Sequence, residues 1–133
     1  MKMRMASVAA LVLAASTAAG AADLVVIANP AAGAMTREEI ADVYLGKNQA
    51  LTPVDLPESS PAYAAFYQKA TGRDAAQIKA TWARLVFSGR GQAPRQLPDA
   101  AAVKKAVAAD PRAVGYIEKS AVDSSVKVVM TVE

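Results

Sequence analysis

Two adjacent hydroxyls, Ser59 and Ser60, stand immediately before Pro61 and a run whose apolar residues recur at helical spacing. Serine ahead of proline at a first helical position is a good helix start. The same arrangement gathers hydroxyls and unpaired amides at a helix N-terminus, which favours anions. Capping and anion binding therefore stand as two readings of the pair. Asn29 to Gly33 offer a second candidate, where backbone could approach a ligand at the end of an apolar strand; a plain loop is the alternative. Arg90 and Arg95 flank a loop containing Gly91 and Pro94. They would neutralise a bound oxyanion if that loop folds back over Ser60, and otherwise are solvated loop charges.

The composition closes off much other chemistry. The chain has no Cys and no His. Thiol catalysis, disulfides, a His base and Cys or His metal ligands are excluded. The carboxylates are scattered, without the Asp-x-Asp spacing of a calcium loop, so neither a metal nor another cofactor is expected. A serine nucleophile would need a lysine or carboxylate base, and no enzyme is expected.

Met1, Lys2, Met3, Arg4 and Met5 form a short positive leader, followed by a small-residue apolar run over 6–18. Ala19, Gly20 and Ala21 fit a small-x-small cleavage site. The run is shorter than the ~20 apolar residues of a membrane span. Residues 1–21 therefore read as a signal peptide and 22–133 as one exported, periplasmic domain. Losing Lys2 and Arg4 leaves 13 basic against 12 acidic residues, a net charge near +1. With no basic stripe interleaved with aromatics, no nucleic-acid partner is expected.

The elements that must position these residues follow from periodicity and breakers. Leu24, Val25, Val26, Ile27 and Ala28 read as a strand buried on both faces. Residues 36–47 read as a short helix: Thr36 is the N-cap, Glu39 closes a capping box, Ile40, Val43 and Tyr44 form the apolar stripe, and Gly46 ends it. Residues 53–56 are a second strand. Tyr63, Phe66, Tyr67 and Ala70 mark a second helix. Asp74 and Gln77 open a third, with Ile78, Trp82, Leu85 and Val86 inward. Residues 88–98 read as loop. A fourth helix opens at Asp99 or Ala100, with Val103, Ala106 and Val107 inward, and closes at Pro111. Residues 114–117 and 126–132 supply two more strands, the last with Val126, Val128, Met130 and Val132 on one face. Alternating strands and helices predict an α/β sandwich, a mixed sheet flanked by helices.

Several segments resemble one known family. The run Thr36-Arg37-Glu38-Glu39-Ile40, closed by Leu45-Gly46-Lys47, is similar to a helix signature of periplasmic phosphate-binding proteins, the solute receptors of phosphate ABC importers. Val26 to Pro30 resembles the strand and Asn entering the second lobe of type II periplasmic binding proteins. Pro111 to Ile117, with Gly115-Tyr116 at its centre, is similar to another segment of that lobe. The resemblance implies a single lobe of a type II periplasmic-binding-protein-like fold, half of a clamp. It implies recognition of phosphate or another small oxyanion and a link to phosphate uptake. A membrane permease or sensor is the implied partner, and a second copy could replace the missing lobe as a homodimer.

The family's phosphate loop, Arg-x-x-x-Ser-Gly-Thr, falls on Leu56, Ser60, Pro61 and Ala62, so only the serine is kept. A lost charge-assisted contact costs ~1.5–3 kcal/mol, against about 8 kcal/mol needed for micromolar capture. Binding is therefore expected to be weak. The alternative is an interaction module that has lost its ligand and docks on an envelope sensor, porin or transporter.

Overall fold

The computed structural model describes residues 23–132. The signal-peptide reading of residues 1–21 lies outside them. Five strands and four α-helices follow in the order β1 (Leu24–Ala28), α1 (Arg37–Tyr44), β2 (Thr52–Asp55), α2 (Pro61–Thr71), α3 (Ala75–Phe87), β3 (Arg95–Gln96), α4 (Ala100–Ala109), β4 (Ala113–Glu118) and β5 (Lys127–Val132). They build one mixed sheet of order β3-β2-β4-β1-β5. β2 runs parallel to β3 and β4, and β1 is antiparallel to both neighbours.

Strand alternation assigns the two faces. Gly115 in β4 meets Val103 and Val107 of α4, whereas Tyr116 stacks on Phe66 of α2 at 3.9 Å between ring centroids. One helix thus covers one face, and α2 with its neighbours covers the other. β1, wholly buried between β4 and β5, is apolar at every position because both its faces are covered. A single apolar core runs through both layers.

Helix ends follow their sequence signals closely. Thr36 Oγ1 accepts from the Glu39 amide at 3.1 Å. The Glu39 carboxylate takes the Thr36 hydroxyl rather than its amide, so the expected box is half made. The complete box is at α3, between Asp74 and Gln77. Gly46 and Gly89 both sit at positive φ, 77° and 73°, ending α1 and α3.

Three expectations are corrected. The predicted loop over 88–98 contains β3, two residues whose pairing with Val54 and Asp55 is tertiary and leaves no local pattern. Val86 is 48% exposed instead of inward, because α3 turns its last turn past the edge of the core. The last strand does not keep Val128 on the face of Met130. A register shift opposite Val26 and Ile27 inverts the alternation there and leaves Val128 41% exposed.

Gly46 gives a first prediction. A Cβ there would lie 2.5 Å from Leu85 Cδ1 and 3.1 Å from Trp82, at a left-handed φ. Gly46→Ala is expected to cost about 1–2 kcal/mol from the backbone alone, with the Leu85 tip able to move aside. Urea unfolding at constant m-value checks this.

Candidate functional site

The first turn of α2 is internally satisfied. Pro61 has no N–H, the Ala62 amide donates to Ser60 Oγ at 3.2 Å, and the Tyr63 amide donates to the Ser60 carbonyl at 3.0 Å. Ser60 therefore spends its hydroxyl on capping, and Ser59 is exposed beside it. Asn29 is likewise engaged. Its Nδ2 donates to the Val107 and Ala108 carbonyls at 3.3 and 3.0 Å, tying the end of β1 to the C-terminus of α4, and its Oδ1 accepts from the Ala31 amide. Gly33 is exposed with open space around it.

Arg90 and Arg95 line separate cavities, and neither cavity is lined by Ser59 or Ser60. Arg95 pairs in register with Val54, whose side chain packs on the α4 side of the sheet beside Gly115. It lines a cavity of about 470 Å³ with Thr52 and Asp110. Ser60 caps α2, which packs on the opposite face.

Arg90 lines a hollow of about 670 Å³ shared with Lys47, Arg84, Gln49, Thr81 and Ser88. Two matching helix ends build it. The Lys47 amide donates to the Asp42 carbonyl at 2.8 Å and the Gly46 amide to Val43 at 3.3 Å. At α3 the Arg90 amide donates to Leu85 at 2.8 Å and Gly89 to Val86 at 3.1 Å. These are the paired closing bonds of a helix whose next residue is left-handed. Gln49 Nε2 then donates to the Arg90 carbonyl at 2.6 Å and links the two ends. Among the described residues none of Lys47, Arg84 or Arg90 has a carboxylate within ion-pair distance. The hollow thus carries three uncompensated cations, partly offset by the negative ends of α1 and α3. Lys47 and Arg84 were not singled out from the sequence. The repeated Gly-cation pair at 46–47 and 89–90 was the available signal.

A second polar centre lies inside the core. Asp55, 3% exposed, accepts from Tyr67 Oη on Oδ2 and from Tyr116 Oη on Oδ1, both at 2.8 Å. Tyr116 Oη also accepts the Leu56 amide at 3.3 Å. Tyr44 Oη donates to the Val54 carbonyl at 2.8 Å, and Trp82 Nε1 donates to the Tyr44 carbonyl at 3.0 Å. Burial pushes the Asp55 carboxyl up to about 7, against the two phenol bonds that favour its ionised form, with the Glu58 charge adding slightly. Burial first, and the Asp55 charge second, raise Tyr67 and Tyr116, which stay protonated donors. Tyr63 is pushed up to about 12 for the same reasons. The tyrosines expected to be mainly packing groups do pack, and three of them also donate to otherwise buried acceptors. Asp55 carried no signal: between Val54 and Leu56 the alternation points it outward.

Ser124 and Lys127 have the Ser-x-x-Lys spacing of a nucleophile and its base. Lys127 Nζ instead donates to the Ala32 carbonyl at 3.0 Å.

Strand order, buried β1 and the helices on both faces make a mixed-sheet α/β fold that is shared with solved receptors of phosphate transport. Two solved structures illustrate the likeness. An ABC-type phosphate transport receptor from Vibrio cholerae superposes with a TM-score of 0.63 at 21% identity, covering 81% of this chain and 45% of the receptor. A protein described as a phosphate ABC transporter substrate-binding protein, with bound phosphate, from Clostridium perfringens gives 0.63 at 22% identity, covering 81% and 44%. The chain therefore spans less than half the length of either. No protein-family model and no curated protein matches it.

Proposed function

We propose that this chain is a periplasmic, single-lobe solute-binding-like protein that recognises phosphate or a related small oxyanion weakly, as part of phosphate uptake. The observation that carries the proposal is the hollow of Lys47, Arg84 and Arg90, which has no carboxylate in its lining. Gln49 Nε2 keeps a second N–H beside the cations, whereas the Ser88 and Thr81 hydroxyls already donate to the Leu85 and Gln77 carbonyls. Neither Ser59 nor Arg95 contributes there, and both remain candidates only for contacts made with a partner or a second copy. The likeness in fold to phosphate receptors supports the ligand class.

Three exposed cations give a site near the millimolar range, worth about 4 kcal/mol. Calorimetric titration with phosphate, sulfate and molybdate at low ionic strength tests it. Saturable heat is expected, lost when Lys47, Arg84 and Arg90 are all replaced by Ala and weakened steeply by salt. Undiminished binding by the triple variant would overturn the site.

Phe87 favours a second reading. It is 95% exposed at the end of α3, beside half-exposed Val86 and the cations of the hollow. An apolar tip with basic neighbours suits docking on an acidic envelope protein, a sensor, porin or transporter. Phe87→Ser is expected to leave phosphate heat intact and abolish cross-linking to that partner.

A further inference from the structure

Between α3 and the carboxyl ends of β2 and β3 lies a cavity of about 290 Å³ with two carboxylates in its lining. Its walls are apolar, made by Trp82, Tyr63, Ile78 and Pro94. Asp55 lines it, and Glu58, bridged to Lys79 at 3.3 Å, stands with it in the lining. It shares no residue with the cationic hollow. Its place in the fold is the one where open α/β sheets hold ligands, outside the carboxyl ends of parallel strands.

Asp55 is the informative group. A carboxylate has about four acceptor positions, and two are filled by Tyr67 and Tyr116. Both donors are neutral. No cation lies within ion-pair distance of Asp55 among the described residues. A buried carboxylate either pairs with a cation or holds its proton; Asp55 has no cation beside it and holds its proton to about 7, so a bound ammonium would take that proton's place. The aromatic walls add faces that attract positive charge. The lining holds two carboxylates against one lysine, already committed to Glu58.

We propose that this cavity is a binding site for a small organic cation with an apolar body, whose ammonium group is received by Asp55 while its body lies against Trp82 and Tyr63. The size suits a single ring or a short branched chain, at the lower end of the roughly 300–1,000 Å³ of ligand cavities. The site is independent of the oxyanion reading and uses the opposite charge.

Trp82 is the only tryptophan, so its fluorescence reports on the cavity directly. The probes are benzylamine, benzyl alcohol and benzoate, which share size and differ in charge. Benzylamine is expected to saturate, benzyl alcohol to bind at least about tenfold more weakly, and benzoate not to bind. Asp55→Asn removes the preference of amine over alcohol. Because that change touches the tyrosine network, Ala83→Phe serves as the second variant. Ala83 lines the cavity from the exposed side of α3 and makes no bond to the network, and the larger ring fills the space. With circular dichroism unchanged, benzylamine binding is expected to disappear. Equal binding of amine and alcohol, no saturation by benzylamine, or binding retained by Ala83→Phe would each overturn the proposal. Phosphate titration of the same variant is expected to be unchanged, so failure here and failure of the oxyanion site are separable.

Discussion

Raising the pH from about 4 to about 8 is expected to remove about 4 kcal/mol from the stability of the folded chain. The cause is Asp55. In the unfolded chain its carboxyl ionises at the ordinary value of 3.8, whereas in the folded chain it keeps its proton to about 7. Between those values the folded state binds more protons than the unfolded state, so stability falls as pH rises. The contribution is complete below the unfolded value, declines through the window and is gone above the folded value. Each pH unit there is worth about 1.36 kcal/mol. The chain has no His, so no other side chain of ordinary pKa titrates in the upper half of the window. Asp123, held to about 2 by hydrogen bonds from Ser125 and then from Lys104, acts only below it.

Chemical denaturation at several pH values gives the curve, and Asp55→Asn gives the control. The amide has one acceptor oxygen for two phenol donors, so the variant is expected to lose about 1–3 kcal/mol at low pH. It cannot ionise, so its stability is expected to stay flat where that of the parent falls. The two curves converge or cross near neutrality. A parent curve that is flat from about 4 to 8, or a variant that keeps the slope, would remove Asp55 as the cause.

The second large effect is at Gly115. A Cβ built there lies 2.5 Å from Val103 Cγ1, 3.0 Å from Val54 Cγ2 and 3.4 Å from Val107 Cγ2. The first two are stiff β-branched groups in a packed layer, so they cannot swing aside as a long side chain would. Gly115→Ala is expected to cost about 1–3 kcal/mol by overpacking. Val103→Ala is expected to be destabilising alone, through the space it leaves, but to relieve Gly115→Ala when combined. A double-mutant cycle therefore yields a favourable coupling. Simple additivity would show that α4 shifts freely over the sheet and that the close approach is not what requires glycine.

Much of the fold was legible because its signals are local. Thr36, Ser60, Asp74 and Asp99 all cap the helices their spacing announced. The continuous apolar run of β1 foretold a strand covered on both sides. What escaped notice is what only long-range contact creates. Arg95 and Gln96 become strand solely because Val54 and Asp55 lie alongside. Val128 changes face at a register shift that no alternation encodes. The polar centre shows the same limit: Asp55 meets a tyrosine 12 residues away and another 61 residues away. Of the cations, Arg90 was singled out by its loop. Lys47 and Arg84 join it only because α1 and α3 end side by side.

The placement of β1 bears on how the molecule is made. Leu24 pairs with Val132 on one side and with Glu118 on the other. The first strand in chain order among the described residues is thus flanked by the last two, and a chain emerging from its N-terminus holds this apolar segment unpaired until β4 and β5 are out. Contacts of such long sequence separation slow folding, since loop closure must precede the reward. Late joining of the two ends leaves the nascent form dependent on whatever shields that segment in the meantime.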